Sequence, residues 1–264
     1  MAIALTIAGS DSGGGAGIQA DLKAFSALGV YGASVITAVT AQNTCDVTAI
    51  HPIPTDVITA QIDAVLSDLS VVAIKIGMLG DPATTRCVAD AIADFDGPVV
   101  LDPVMVAKSG AVLLADEAVS ALHDHLIPRA TVLTPNIPEA AKLLRVEEAT
   151  TDDALKEQGR ALLEMGPKAV LMKGGHGKGS ICTDWLITAA GAIALQSERV
   201  ETKNTHGTGC SYSAAIAAGL AKGIGMEEAV RAAHGWLSEA IRRADELNVG
   251  HGHGPVHHFH KVWA

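Results

Sequence analysis

The sequence predicts an α/β protein with a mostly parallel sheet covered by helices. Three observations carry this. Short apolar runs alternate with stretches of helical periodicity along most of the 264 residues. The runs read as buried strands, as in parallel sheets. Almost every run ends in a glycine-rich or polar turn, which is where such sheets bind ligands. No stretch has the composition of a linker and no repeat is visible, so residues 1–264 read as one domain.

In order, Ala2 to Ala8 is an apolar run feeding the loop Gly9-Ser10-Asp11-Ser12-Gly13-Gly14-Gly15. Ile18, Leu22, Phe25 and Leu28 recur at helical spacing, and Gly29 ends that helix. Tyr31 to Gln42 is rich in β-branched residues. Helix Pro54–Leu69, strand Val71–Ile76 and the turn Gly77-Met78-Leu79-Gly80 follow. Asp81-Pro82 is an N-cap with proline at the first helical position, opening a helix to about Phe95. Pro98–Leu101 is a strand, Glu117–Ile127 a helix, Thr131–Thr134 a strand, and Pro138–Leu144 and Asp152–Met165 helices. After strand Ala169–Met172, Ser180–Ile187 and Ala192–Val200 read as an antiparallel pair at a sheet edge. Ser211 to Ala221, without charge or proline, starts the next helix, and Met226–Leu247 is the last.

Apolar residues make up 48% and aromatics 3%, so the core must be built from Ala, Val, Ile and Leu. Nineteen basic against 29 acidic residues give a net charge of −10, which argues against a nucleic-acid binder. The four cysteines are scattered with no CxxC pair, which points to free thiols and a reducing, cytoplasmic setting. No basic-then-apolar leader precedes the first strand, and no apolar run reaches the ~20 residues of a membrane span.

The strand-end residues converge on phosphate chemistry. In Asn204-Thr205-His206-Gly207-Thr208-Gly209-Cys210-Ser211, a glycine loop meets the start of an alanine-rich helix. Unpaired amides and the positive end of the helix dipole suit an anion there. Cys210 at that end is expected to have its thiol pKa lowered, unless it is merely a small buried hydrophobe. Asp102 before Pro103 reads equally as a Mg²⁺ ligand or as a turn residue. Asn136 and Glu139, three apart, read first as a capped helix start and second as a hydrated-metal and nucleotide site. Lys173, followed by two glycines, suits phosphates. No Walker A sequence occurs, and the opening loop does not fit GxGxxG. The tail histidines His251, His253, His257, His258 and His260 match no zinc spacing; a folded segment anchored by Phe259 and Trp263 is the better reading.

Taken together, seven ordered motifs resemble the hydroxymethylpyrimidine/phosphomethylpyrimidine kinases of thiamine biosynthesis, within the ribokinase-like superfamily. They are Ala8 to Asp21, Thr40-Ala41-Gln42-Asn43-Thr44, Ile76-Gly77-Met78-Leu79-Gly80, Leu101-Asp102-Pro103-Val104-Met105, Thr134-Pro135-Asn136 with Glu139, Lys173-Gly174-Gly175-His176, and His206-Gly207-Thr208-Gly209-Cys210. The tail Gly250 to Pro255 is also similar. The resemblance implies a three-layer ribokinase-like fold with a small antiparallel edge. It implies an ATP-dependent enzyme that phosphorylates 4-amino-5-hydroxymethyl-2-methylpyrimidine to its monophosphate and then to the diphosphate.

By the same resemblance Cys210 stands where most sugar kinases of the superfamily carry an aspartate base. The Gly207, Thr208 and Gly209 amides form the anion hole. Gln42 reads the aminopyrimidine edge, since a primary amide both donates and accepts. Asp21 helps orient the ring, and Gly9, Met78 and Val104 line its pocket. Asp102 and Glu139 manage Mg²⁺, with a monovalent cation as a candidate addition. Lys173, Asn136 and Thr208 hold ATP. A homodimer with no membrane or nucleic-acid partner is implied. The stretch Val106–Leu114, with Lys108-Ser109-Gly110, is a candidate lid. Ser211 where threonine is usual, and Cys45-Asp46 after the Gln-Asn-Thr motif, depart from the pattern.

The rival within the fold is a pyridoxal kinase of vitamin B6 salvage, whose substrate lacks the exocyclic amine for Gln42 to read. A dinucleotide oxidoreductase leaves the Cys210 loop unexplained, and a zinc regulatory protein accounts only for the tail.

Overall fold

A computed structural model describes residues 1–105, 116–175 and 179–263; the candidate lid Val106–Leu114 and His176 lie outside the described residues. Among these residues nine strands form one sheet in the order β3-β2-β1-β4-β5-β6-β7-β8-β9. They are β1 Ile3–Asp11, β2 Tyr31–Gln42, β3 Val47–Pro52, β4 Ala73–Ile76, β5 Val99–Leu101, β6 Val132–Leu133, β7 Ala169–Met172, β8 Ile181–Thr188 and β9 Gly191–Glu198. From β2 through β1, β4, β5 and β6 to β7 every pairing is parallel. The chain starts at β1, steps outward to β2 and β3, and returns to the other side of β1 at β4. That reversal opens a crevice at the carboxyl ends of the strands.

Both edges are antiparallel. The β8–β9 hairpin on β7 matches the expected strand pair. The pairing of β3 with β2 was not expected. β3 has no clean alternation, is largely exposed and ends in Pro52, which an edge tolerates because its missing N–H faces solvent.

Strand alternation decides what lies on each face. Leu5, Ile7, Ile74, Ile76 and Leu101 point into one core, under α2 Thr55–Asp68, α3 Pro82–Ala91, α4 Asp116–Ala121, α5 Ile137–Leu144 and α6 Asp152–Leu163. Ala4, Ala73, Val100 and Ala169 point into the other, under α1 Gly17–Ala27, α7 Thr208–Ala221 and α8 Met226–Arg242. The second face is small because α7 is: Ala214, Ala215, Ala217 and Ala218 are all buried. Helix and sheet approach closely where neither carries bulk. Being apolar all round, α7 is a buried core helix rather than a surface one.

Helix signals held at Asp81, whose carboxylate accepts from Thr84 N at 2.7 Å. The helix expected over Glu117–Ile127 instead stops at Ala121 and continues as a π turn, Leu122–Leu126, and a 3₁₀ turn, Ile127–Arg129. Pro128 has no N–H to continue an α ladder. The expected tail anchors are also corrected. Trp263 is 53% exposed and stacks on the half-buried Phe259 with ring centroids 4.7 Å apart. The buried anchors are Val256, His257, His258 and His260, packed near Trp236 of α8.

One charged pair fastens α1 to the sheet. Thr6 on β1 and Lys75 on β4 are register partners and share the α1/α7 face. Asp21 of α1 accepts from Thr6 Oγ1 at 2.6 Å and from Lys75 Nζ at 2.8 Å, all fully buried. Burial works against the Lys75 charge, but Asp21 outweighs it and holds the ammonium above its ordinary pKa. Asp21→Ala strands a buried cation and should lower stability by about 3–5 kcal/mol in urea unfolding. Adding Lys75→Met should restore most of the loss; a single-variant cost below ~1 kcal/mol would contradict this role.

Candidate active site

A cavity of 730 Å³ lies at the carboxyl ends of β1, β2, β4, β5, β6 and β7. Of the residues singled out from sequence, Gly9, Gln42, Met78, Val104, Asp102, Asn136, Glu139, Lys173, Gly207, Thr208, Gly209 and Cys210 all line it. Asp21 does not. It is sealed beneath α1 against Thr6 and Lys75, so the expectation that it touches a ring is corrected: its carboxylate is used by the fold.

At one end Gly9 and Met78 lie beside the strand end that carries Thr40 and Gln42, and Val104 is also in the lining. A Cβ on Gly9 would come 2.4 Å from Met78 Cε, so the glycine makes room for the methionine tip. Thr40 Oγ1 lies 3.1 Å from Gln42 Oε1, and His206 Nε2 lies 3.3 Å from Gln42 Nε2.

The glycine loop after β1 is organised by Asp11. Its carboxylate accepts from the N–H groups of Gly13 (2.8 Å), Gly15 (3.0 Å) and Ala16 (2.8 Å), and stands 2.8 Å from His206 Nε2. Burial pushes this carboxyl up, but the His206 contact and the backbone donors outweigh it, and its pKa lies below the ordinary value. This pairing, across 195 residues, was not legible from sequence, although both residues sit in the quoted glycine motifs.

In the middle, the loop after β9 turns into α7. Gly207 adopts φ +75°, and a Cβ there would fall 1.8 Å from Gly15 O. Only glycine serves at this crossing of two loops. The first amides of α7 lack intrahelical acceptors, and that of Thr208 donates weakly back to Thr205 O at 3.3 Å. A Cβ on Gly209 would lie 3.3 Å from Lys173 Nζ and 3.5 Å from Asp102 Oδ2, so the helix start faces a cation and a carboxylate.

Lys173 donates to Asp102 Oδ1 at 2.9 Å and stands 3.9 Å from Glu139 Oε2. Thr134 Oγ1 donates to the same Asp102 oxygen at 3.1 Å. Burial disfavours the Asp102 charge, but Lys173 and Lys75 more than compensate and keep it below the ordinary carboxylate pKa. Burial, reinforced by the Asp102 charge against the pull of Lys173, pushes the Glu139 carboxyl up to about 7. The capped-helix reading of Asn136 and Glu139 holds. Asn136 Oδ1 accepts from Glu139 N, and Glu139 Oε2 from Asn136 N, both at 2.8 Å.

Cys210 departs from expectation. Burial pushes its thiol up to about 11, with Lys75 opposing and Asp21 and Asp102 adding to the rise. The helix start was expected to lower it, but desolvation on the cavity floor prevails. At the far end β8, α7 and α8 contribute Asp184, Tyr212 and His234, unforeseen from sequence. Asp184 Oδ1 accepts from Gly174 N at 2.8 Å, and this lone acid in an apolar strand was the available signal.

The tail closes the ring end. His253 N donates to Thr44 O (2.8 Å), Gly254 N to Asn204 Oδ1 (2.9 Å), and His206 N to Gly254 O (3.0 Å). His258 Nε2 lies 2.8 Å from Ser211 Oγ on α7. The raised thiol pKa predicts that iodoacetamide at pH 7.5 labels exposed Cys45 well before Cys210. Peptide-resolved alkylation rates check this, and early labelling of Cys210 would contradict it.

The phosphomethylpyrimidine kinase family model matches residues 11–257. The hydroxymethylpyrimidine/phosphomethylpyrimidine kinase of Rhizobium meliloti (strain 1021) is 55% identical over 262 residues, 99% of this chain and 98% of that protein. The Escherichia coli (strain K12) protein of the same name is 51% identical over 261 residues, 98% of each. The solved ADP complex of Bacillus subtilis pyridoxal kinase superposes with a TM-score of 0.92 at 38% identity, covering 100% of both chains. The match nearly end to end, on a fold whose strand-end residues meet in one cavity, shows that this chain belongs to the phosphomethylpyrimidine kinase family.

Proposed function

We propose that the chain is an ATP-dependent kinase of thiamine biosynthesis that phosphorylates 4-amino-5-hydroxymethyl-2-methylpyrimidine and then its monophosphate. One observation carries the reading beyond the family. The cavity joins an amide that can both donate and accept, Gln42, to a helix start backed by Lys173 and Asp102. A flat ring with an exocyclic amine suits the first, and transferring phosphates suit the second. Pyridoxal offers no such amine to Gln42, so pyridoxal phosphorylation is the weaker alternative.

The residues fit a magnesium–nucleotide complex. Asp102 supplies an ionised hard oxygen, and Glu139 a second carboxylate whose proton a divalent cation would displace. Lys173, Asn136 and Thr208 stand where they can hold phosphates. Bound ATP supplies the phosphoryl group. The protein's part is to align the hydroxymethyl oxygen and to meet developing charge with the Gly207–Gly209 amides. Cys210 takes the hydroxyl proton as its thiolate. With a thiol pKa of about 11, only ~1 in 10⁴ molecules carries the thiolate at pH 7. A base that rare is correspondingly strong, and its contribution is the product of the two. We place this enzyme in the cytoplasm as a homodimer, on the resemblance to its family.

The test is product analysis with Mg-ATP and the hydroxymethylpyrimidine, with pyridoxal in a parallel tube. Conversion to mono- and then diphosphate is expected; phosphorylation of pyridoxal alone would overturn the assignment. If Cys210 is the base, log kcat rises with pH between 7 and 9, since deprotonation is incomplete throughout. Cys210→Ala should lose most turnover and this slope while still binding ATP. A flat wild-type profile, or near-normal turnover of the variant, would remove the base role. Gln42→Ala should raise KM for the pyrimidine about tenfold and leave that for ATP unchanged.

A further inference from the structure

We propose that His206 and Thr40 lock the Gln42 amide in one orientation and so dictate which way round an aminopyrimidine lies in the site. This rests on the pyrimidine-kinase reading above. Asp11 receives three backbone N–H groups on its two oxygens, an arrangement that favours the carboxylate. It is therefore an acceptor towards His206, and the proton between them sits on His206 Nε2, 2.8 Å away. That nitrogen then has no lone pair to offer. Gln42 Nε2 stands 3.3 Å from it and would set N–H against N–H. The oxygen and nitrogen of an amide exchange places by a flip, and only the flipped Gln42 brings an oxygen there to share the proton.

The other end gives the same answer independently. Thr40 Oγ1 has one hydrogen and lies 2.9 Å from Ser10 O, which can only accept. Its contact with Gln42 Oε1, 3.1 Å away, then sets lone pair against lone pair, and the same flip brings the amide nitrogen to the Thr40 side as a donor. Thr40 and His206 are both buried, 4% and 7% exposed, which makes an unmatched contact costly.

With each end committed, Gln42 presents one lone pair on its His206 side and one N–H on its Thr40 side. A ring that carries an amine beside a ring nitrogen fits when the amine lies towards His206 and the nitrogen towards Thr40. The reverse placement opposes two donors. His206 and Thr40 are thus positioning residues that act through Gln42, and Asp11 sets the tautomer on which His206 depends.

The experiment compares Thr40→Val, His206→Leu and His206→Gln in the full chain. KM is measured for the hydroxymethylpyrimidine, for the analogue lacking its 4-amino group, and for ATP. His206→Gln keeps an N–H near the Nε2 position. Thr40→Val and His206→Leu are expected to raise KM for the aminopyrimidine about tenfold, with the amine-free analogue and ATP within about twofold of wild type. His206→Gln should recover most of the loss. In a Gln42→Ala background neither substitution should have a further effect. A parallel rise for both pyrimidines, a penalty that persists without Gln42, or unchanged discrimination in the singly substituted proteins would overturn the proposal. A wild type that phosphorylates neither pyrimidine would instead overturn the functional reading on which it stands.

Discussion

The close approach of α7 to the sheet is the constraint on which the rest depends. Alanines on the helix pack in one cluster with Ala4, Ala73 and Val100 on the strands, so little bulk separates the helix from the sheet. Because α7 sits low, its first turn opens level with the carboxyl ends of the strands instead of above them. Its free amides therefore share one cavity with the ends of β1, β2, β4, β5 and β7. Gly207 belongs to the same economy of space, crossing Gly15 at a distance that leaves no room for a side chain.

Behind that first turn lies an unusual density of buried charge. Lys75 and Lys173 face Asp21, Asp102 and Glu139, and no member is solvated enough to ignore the others. The set divides by task. Asp21 and Lys75 are spent on holding α1 to β1 and β4. Asp102 and Lys173 stand at the cavity wall. Glu139, with a carboxyl pKa near neutrality, is the member whose charge changes most readily when a cation or phosphate enters. This electrostatic background also explains why the sulfur of Cys210 behaves unlike a thiol at an exposed helix start: two nearby carboxylates and the loss of water outweigh Lys75 and the dipole.

Much of this was legible in the sequence, because strand ends announce themselves by glycine and polar residues and parallel sheets collect those ends on one rim. Apart from β3, the order of strands and helices and twelve of the cavity's residues followed from that rule and from the family motifs. What stayed hidden depends on partners distant in the chain. Asp21 reads as a site residue until Lys75 is seen to claim it. The link from Asp11 to His206 has no local signature. β3 lacks alternation because both its faces are largely open, and Asp184 reaches the cavity only through the hairpin that folds β8 back along β7.

The tail has a bearing on when the protein becomes functional. Residues 253 to 258 bond to the loop after β2, to the loop before α7 and to Ser211 on α7 itself. These contacts close very long loops: Gly252 N donates to Thr44 Oγ1 across 208 residues. Contacts of such separation are entropically the slowest to close. A chain can therefore assemble its sheet while its ring-binding end and its phosphate-binding end are still unbraced, and docking of this one segment becomes a structural condition for handling a reactive phosphate donor.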